Sequence, residues 1–343
     1  MGGSIPFAIL CYIYLIIIIF FLILIIGSLL SISSSNWLCV WIGLEINLLS
    51  FIPFVIHGNE DLEVESIIKY FLIQSFGSCI ILFIYFYVII YQISGFFIGF
   101  YIILIFSFIL KMGIFPFHFW LVQVMRGISW ISCIVLSVWQ KLAPLLVLRR
   151  LINSVNYILF FTLGSIGSVL GGVIGINQSY MRNLMAYSSI SHIGWILSGI
   201  ICSFIIFLFY FLVYSITTIS IIFFLNIYNR RNINSINFVN YPIYILFSIS
   251  ILFLSLGGFP PFIGFYPKLG VIYYILNNTL FFDASLLVLG SLINIFFYLG
   301  IIFKFLIIGI FYGSFKYHYL VNGVSQFFSF FFICLSIRVF IFI

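Results

Sequence analysis

The chain has 343 residues and a formal net charge of +7, yet 65% of its residues are hydrophobic, only 6% are charged, and the mean hydropathy is +1.37. A soluble domain carries about 25% charged residues, so this composition excludes one and indicates a polytopic helical membrane protein. The strands of a transmembrane barrel would alternate polar and apolar residues, and these runs are apolar throughout. Basic residues form no cluster of the kind that binds nucleic acid.

Apolar runs separated by polar breaks predict the membrane-spanning helices in chain order. They cover 5–30, 36–56, 66–91, 96–113, 127–148, 155–176, 183–203, 204–228, 241–258, 260–280, 284–312 and 324–343. The boundary at 203/204 follows from length alone. Only GGFPP (257–261) separates the ninth and tenth runs, which suggests two halves of one discontinuous helix and eleven elements in total. We expect an all-α polytopic fold that forms a single integral membrane domain over 1–343, without a soluble domain.

Eleven crossings would place the two termini on opposite sides of the membrane. The basic residues on the N-terminal side would be Arg126, Arg182, Arg230, Arg231 and Lys316. Those on the other side would be Arg149, Arg150 and Arg338. By the positive-inside rule, the N-terminus is expected in the matrix or cytoplasm. The acidic patch on that side, interpreted as a solvated loop or a contact for a neighbouring subunit, is Glu60, Asp61, Glu63 and Glu65.

Five of the charged residues that lie inside otherwise apolar runs are candidates for function, namely Glu45, Lys69, Lys111, Lys141 and Lys268. A charge at the bilayer midplane costs about 2.5–3.5 kcal/mol on insertion scales, so a charge that persists there is a functional candidate. Burial disfavours a charged lysine and a nearby carboxylate favours it, so a changing Glu–Lys contact alters proton affinity. Arginine cannot respond in this way, and none of the five is Arg. The set predicts proton transfer, with a packing ion pair as the alternative and snorkelling as a further one for Lys69.

Two of these lysines stand beside predicted helix breaks. Lys111 opens KMGIFPFHFW, whose glycine and proline interrupt a helix, and Lys268 follows the break in GGFPPFIGFYPKLG. Transporters build ion sites from interrupted helices of this kind. Lys141 precedes a proline in WQKLAP. His118 and His192 are candidate proton relays, with a hydrogen-bonded buried side chain as the alternative for each.

The cysteines and histidines are scattered along the chain. The six cysteines form no CxxC pair and the four histidines show no helical pairing, so we expect no metal, disulfide framework or other cofactor in this chain. The N-terminus runs almost directly into the first apolar run, without a presequence or cleavable signal. Phe and Tyr, which AT-rich codons specify, number 46 and 22. These features favour a protein encoded in an organelle.

Six stretches resemble a known family, and they occur in that family's order. They are SISSSNWLCVWIGLEINLLSFIP (31–53), KYFLIQSFGS (69–78), KMGIFPFHFW (111–120), WQKLAPLLVL (139–148), NLMAYSSISHIGW (183–195) and GGFPPFIGFYPKL (257–269). Jointly they are similar to subunit 2 of the mitochondrial NADH:ubiquinone oxidoreductase (respiratory complex I), in an arthropod-like form. The resemblance covers residues 31–270, and beyond residue 280 only the hydropathy is similar.

The resemblance implies an antiporter-like, proton-translocating subunit with eleven helices, two of them discontinuous. Glu45 would take the place of the family's buried glutamate, in a position to pair with a lysine. Lys111 and Lys141 match the lysines of the first broken helix and its neighbour, and Lys268 matches the lysine of the second broken helix, nearer the exit side. The chain departs from the family's pattern, away from these charged residues, at Arg126, Phe259 and Leu269.

The family further implies a multi-pass protein of the mitochondrial inner membrane. Together with the composition and the positive-inside rule, this predicts a mitochondrially encoded chain with its N-terminus in the matrix. NAD, FMN, iron–sulfur clusters and ubiquinone would be bound by partner subunits, and this chain would contact neighbouring antiporter-like and small membrane subunits and phospholipids, but no nucleic acid. Energy from electron transfer would alter the Glu45–lysine contact and drive protons from Lys111 and Lys141 toward Lys268. Three alternatives remain: a subunit of a multi-subunit cation/proton antiporter, a free-standing secondary transporter, and a non-pumping structural subunit.

Overall fold

The computed structural model of the chain describes residues 7–56, 61–90, 98–152, 157–227 and 243–312. Its helices are α1 (Phe7–Ser33), α2 (Trp37–Val55), α3 (Asp61–Ile90), α4 (Ile98–Met112), α5 (Phe119–Gly127), α6 (Trp130–Ile134), a π-helical turn (Val135–Trp139), α7 (Gln140–Ile152), α8 (Tyr157–Ile176), α9 (Met181–Cys202), α10 (Phe204–Ile227), α11 (Ile243–Gly257), α12 (Phe265–Asn277) and α13 (Phe281–Tyr312). The parts of the sequence predictions that lie outside the described residues are Glu60, Arg230, Arg231, Lys316, Arg338 and the run 324–343.

The fold class predicted from hydropathy is confirmed. Among the described residues, eight helical stretches are long and apolar enough to cross a membrane. Two shorter apolar helices, α4 and α11, end at the two predicted breaks and are followed by α5 and α12. The chain is therefore an all-α polytopic protein with two discontinuous helices. The count of eleven stays a prediction, because the last predicted run lies outside the described residues.

The chain folds as two compact units. The first comprises Met1–Gly113 and Phe117–Val155, and the second comprises Ile114–Pro116 and Asn156–Ile343. The expectation of a single integral membrane domain stays a prediction.

In the first unit, α1 and α2 pack closely at two glycines. A Cβ added at Gly27 would lie 2.9 Å from the backbone oxygen of Gly43, and one added at Gly43 would lie 2.6 Å from the backbone nitrogen of Ser31. Only a residue without a side chain allows backbones to approach this closely. Arg150 of α7 donates hydrogen bonds to the carbonyls of Ser34 and Ile32, where α1 ends. These bonds satisfy backbone groups that a helix terminus leaves without intrahelical partners.

In the second unit, α9 is central and almost every one of its residues is buried. Its contacts with α8 run antiparallel, from Gly164 beside Gly194 to Gly171 beside Ser191. By contrast, α13 runs parallel to α8, because Ser168 lies beside Gly290 and positions further along the two helices also meet. Helices α8, α9 and α13 therefore pack tightly against one another through small residues.

Ser203 separates α9 from α10, as the length of the apolar run predicts. Its backbone is extended (φ −165°, ψ 159°), and its hydroxyl oxygen accepts a hydrogen bond from the Ile206 N–H at 3.2 Å. The hydroxyl thereby satisfies one of the free N–H groups at the start of α10. One serine is thus enough to end one membrane helix and begin the next.

Gly194→Ala should destabilise the second unit, because the new Cβ would overlap the backbone oxygen of Gly164. Overpacking of this kind costs about 1–3 kcal/mol. The measurement is the melting temperature of the purified assembly that contains the chain. Gly300→Ala is the matched control, since a Cβ there meets nothing within 4 Å. Equal melting temperatures for the two variants would contradict the close approach of α8 and α9.

Candidate functional site

The first helix break is held open by side chains that bind the free carbonyls at the end of α4. Gly113 follows this helix with a φ of +68°, which glycine adopts readily. The Trp120 indole donates to the Leu110 carbonyl at 3.1 Å, and the Gln74 amide donates to the Lys111 carbonyl at 2.9 Å. Irregular backbone at membrane depth is tolerated only when it is satisfied in this way. The break is therefore a formed feature of the fold.

Lys111 is buried in the last turn of α4, where the helix dipole favours a cation. Its aliphatic stem packs against α3, and a Cβ added at Gly77 would lie 3.0 Å from the Lys111 Cγ. Glu45 of α2 lies within electrostatic range of Lys111 and of the Tyr70 hydroxyl. Glu45 is half-buried rather than buried, and within the described residues it forms no ion pair with a lysine. The Glu45 carboxylate is therefore separated from the Lys111 Nζ by more than an ion-pair distance.

Lys141 is buried in the first turn of α7, directly after the π-helical turn. Such turns inside membrane-length helices occur frequently at functional sites. Its Nζ has no hydrogen-bond partner within the described part of the chain. The preceding Gln140 donates from Nε2 to Asn47 Oδ1 at 3.1 Å, which ties α7 to α2 two residues beyond Glu45. The first unit thus holds two buried lysines and one carboxylate on helices that pack together.

The second helix break lies in the second unit and places another buried lysine against a free carbonyl. α11 ends at Gly257, and Gly258 adopts a φ of +79°. Lys268, near the start of α12, donates from Nζ to the Gly257 carbonyl at 2.6 Å. The same Nζ lies 5.6 Å from the ring centroid of Trp195, which attracts a cation through its π face. The ammonium therefore lies at the end of one half-helix and beside an aromatic ring.

The two candidate relay histidines are both buried, one in each unit. His118 precedes α5, with its ring 4.1 Å from that of Phe119. His192 lies on α9 with its Nδ1 3.1 Å from the Tyr210 hydroxyl, and the ring tautomer decides which of the two groups donates. The role of the two histidines as proton relays stays a prediction.

Lys69 differs from the other lysines of the set. Its side chain is 39% exposed and its Nζ pairs with Glu65 Oε1 at 2.5 Å, one helical turn earlier on α3. An exposed pair of this kind contributes little to stability. The structure therefore places Lys69 on the surface of the chain, in a local ion pair, and not with the buried lysines.

Sequence reasoning does not single out two charged residues of α13, Asp283 and Lys304. Asp283 is buried and accepts a hydrogen bond from the Ser165 hydroxyl at 3.0 Å. It falls one residue outside the predicted run, although it is the only acidic residue of the sequence after Glu65. Lys304 is exposed and lies about 35 Å along α13, beyond the roughly 30 Å of a hydrocarbon core. Of the two, only Asp283 is a buried charge.

The buried charged side chains of the two units are of types that suit proton binding more than metal binding. Within the described residues, no three His, Cys, Asp or Glu side chains are grouped so as to hold a metal ion. Lysines and single carboxylates, by contrast, bind and release protons, and both helix breaks carry one buried lysine. That these groups bind protons inside the membrane and respond to a neighbouring charge stays a prediction.

Comparisons with known proteins assign the chain to a family. Residues 34–294 match the family described as NADH:quinone oxidoreductase/Mrp antiporter, TM. The chain is 38% identical over 285 residues to NADH-ubiquinone oxidoreductase chain 2 of Lumbricus terrestris, covering 81% of this chain and 83% of that protein. It is 41% identical over 287 residues to the protein of the same name from Aedes aegypti, covering 82% and 83%.

Two solved structures share the fold. One is respiratory complex I from Thermus thermophilus, with a TM-score of 0.77 and 18% identity over 94% of this chain and 76% of that chain. The other is the Mrp complex from Dietzia, with a TM-score of 0.76 and 18% identity over 83% of this chain and 59% of that chain. At this identity the likeness concerns the fold alone. By the extent of the family match and the identity to its curated relatives, the chain belongs to the NADH-ubiquinone oxidoreductase chain 2 family, whose membrane region is antiporter-like.

Proposed function

We propose that this chain is a core membrane-arm subunit of a proton-translocating NADH:ubiquinone oxidoreductase and that its buried charged residues carry the protons. The observation that supports this most is the pairing of each helix break with a buried lysine, Lys111 at the first and Lys268 at the second. A charge in a membrane helix is costly and is retained where it serves function. Family membership supplies the reaction to which the transfer is coupled.

In this proposal the chain performs no redox chemistry. NAD, FMN, iron–sulfur clusters and ubiquinone are bound by partner subunits, among which the chain contacts neighbouring antiporter-like and small membrane subunits and phospholipids. The assembly lies in the mitochondrial inner membrane, with the N-terminus of this chain in the matrix. Energy from electron transfer reaches this chain as a conformational or electrostatic change.

This conformational or electrostatic change first alters the distance between the Glu45 carboxylate and the Lys111 ammonium. Bringing the carboxylate closer favours the protonated lysine, and moving it away favours release of the proton. A gap that can close or widen gives Lys111 two states of different proton affinity. Glu45 is half-buried, so its side chain is less constrained by packing than a buried one.

Lys141 takes part as a proton carrier served by water. A buried ammonium without a hydrogen-bond partner is costly, and its Nζ has none within the described residues. We therefore assign water to this Nζ, which would both stabilise the charge and conduct the proton.

In the second unit, Lys268 holds the proton at the Gly257 carbonyl and beside the Trp195 ring. Transfer runs from Lys111 and Lys141 toward Lys268, and then toward the exit side. His118 and His192 serve as lesser relays. Lys69 has the least support, because its ion pair is exposed.

The alternative of a multi-subunit cation/proton antiporter shares the fold, as the likeness to the Mrp complex indicates. The curated relatives at 31–41% identity carry the oxidoreductase name and favour complex I. A native gel of gently solubilised membranes distinguishes the two assignments. The gel is stained for NADH oxidation, and this chain is identified in its bands by mass spectrometry. Migration in the large NADH-oxidising band supports complex I, and migration with small membrane partners alone supports the antiporter.

Replacing Lys141 by Met should stop proton transfer through this chain, because Met keeps the length of the side chain but binds no proton. Loss of a proton-transferring group slows such a step about 10²- to 10⁴-fold. We expect a lower proton-to-electron ratio in proteoliposomes, with unchanged NADH oxidation by a soluble electron acceptor. Lys111→Met and Lys268→Met should behave alike.

Lys304→Met is the matched control, since Lys304 is exposed. This variant should retain the wild-type proton-to-electron ratio. Lys69→Met should retain it as well if the Lys69–Glu65 ion pair is only structural. An undiminished ratio in an assembled complex carrying Lys141→Met would show that this lysine is not essential for pumping.

Gly258→Ala should disturb Lys268 without removing it. A non-glycine residue in the left-handed region costs about 1–2 kcal/mol, and the new Cβ would lie 2.8 Å from the Lys268 Nζ. The ammonium is then displaced from the Gly257 carbonyl. We expect slower coupled turnover measured as proton uptake per assembled complex, while Gly300→Ala leaves it unchanged. Equal turnover in the two variants would mean that the position of Lys268 at the break is unimportant.

A further inference from the structure

We propose that Asp283 is a proton-binding residue of the second unit, on the route from Lys268 to the membrane face at which α12 ends and α13 begins. This inference rests on the proposed function and adds a carboxylate to it. Asp283 is 4% exposed and is bound by the hydroxyl of Ser165. Both residues lie in the second unit.

Asp283 is buried although it lies in the first turn of its helix. Ser165, which binds it, is about 12 Å from the first residue of α8 and about 16 Å from the last. Ser168 lies beside Gly290 on the parallel α13, so the backbone of Asp283 lies about 6 Å nearer the start of α8 than Ser165 does. The carboxylate therefore reaches Ser165 from a backbone position close to the start of the α8 crossing.

The direction of α12 places Asp283 on one side of Lys268. This half-helix begins at the break and ends at Asn277, about 14 Å beyond Lys268. α13 begins four residues after Asn277, packs against α12, and carries Asp283 in its first turn. A proton leaving Lys268 along α12 thus moves toward the end of the helix pair at which Asp283 lies. With the proposed orientation of the chain, that end faces away from the matrix.

In the described part of the chain, the carboxylate of Asp283 is not paired with a cation. Its described contact is with a neutral hydroxyl, and among the described residues it forms no ion pair with Lys, Arg or His. Ser165 also lies 3.0 Å from the Thr162 carbonyl, so its hydroxyl can turn to either acceptor.

A purely structural role explains these features less well. α8 and α13 approach closely enough that a Cβ at Gly290 would lie 2.7 Å from the Ser168 hydroxyl, so the helices are joined without Asp283. Asn or Ser could make the same hydrogen bond to Ser165 without an ionisable group. The sequence instead has its only acidic residue after Glu65 at this position.

The test compares Asp283→Asn with Lys268→Met in the intact complex, reconstituted in proteoliposomes. Asn keeps the size and a hydrogen-bond acceptor for Ser165 but binds no proton in this range. We expect Asp283→Asn to lower the proton-to-electron ratio by the same amount as Lys268→Met. The double variant should be no lower than either single variant, and Asp283→Glu should restore most of the ratio.

Ser165→Ala separates structure from proton binding, because it removes the hydrogen bond and leaves the carboxylate. It should change the melting temperature of the complex more than its pumping ratio. A wild-type ratio in Asp283→Asn, with a lowered ratio in Lys268→Met, overturns this inference and leaves the proposed function standing. Wild-type ratios in both variants overturn the proposed function itself. If Asp283→Asn assembles poorly, the proton-to-electron ratio of Asp283→Ser, measured per assembled complex, distinguishes the same outcomes.

Discussion

The exclusion of charge from the hydrocarbon core is the constraint on which the rest of this structure depends. A bilayer supplies no hydrogen bonds, so each backbone break and each retained charge needs a partner from the protein or from water. The chain meets this constraint by having few charges at all, 6% of its residues. Each charge that is nevertheless buried therefore calls for a physical reason of its own.

The helix breaks and the buried lysines can meet each other's need for hydrogen-bond partners. A broken helix exposes carbonyl groups that carry partial negative charge, and a buried ammonium needs acceptors. At the second break this exchange is direct, since Lys268 donates to the Gly257 carbonyl. At the first break the carbonyls are taken by Trp120 and Gln74 instead, which leaves the Lys111 ammonium to respond to Glu45. The two breaks therefore hold their lysines by different means, although the sequence pattern around them is similar.

Hydropathy, the positions of glycine and proline, and the lengths of the apolar runs are sufficient to predict the helical class, the two breaks and the boundary at Ser203. Each of these features depends on the local sequence. These sequence patterns cannot predict the partners of a charge, which come from other helices. Glu45 is expected to be buried and lies half-buried, and Lys69, for which snorkelling is the alternative to burial, lies in an ion pair at the surface of the chain. Asp283 is missed because it lies one residue outside an apolar run, while its hydrogen-bond partner comes from α8. In each case the surroundings of the charged residue are fixed by packing against other parts of the chain, here of α13 on α8.

Whether buried lysines of this chain exchange protons inside the membrane can be tested at Lys141. Its Nζ has no hydrogen-bond partner within the described residues, so its charge has to be met by something other than those residues. The measurement is an electron cryo-microscopy map of the intact complex, at a resolution that shows ordered water, around this nitrogen. We predict water within hydrogen-bond distance of Lys141 Nζ, continuing toward other polar side chains. A carboxylate of a neighbouring subunit fixed on Lys141 in a dry pocket would contradict it and make the lysine a structural ion pair.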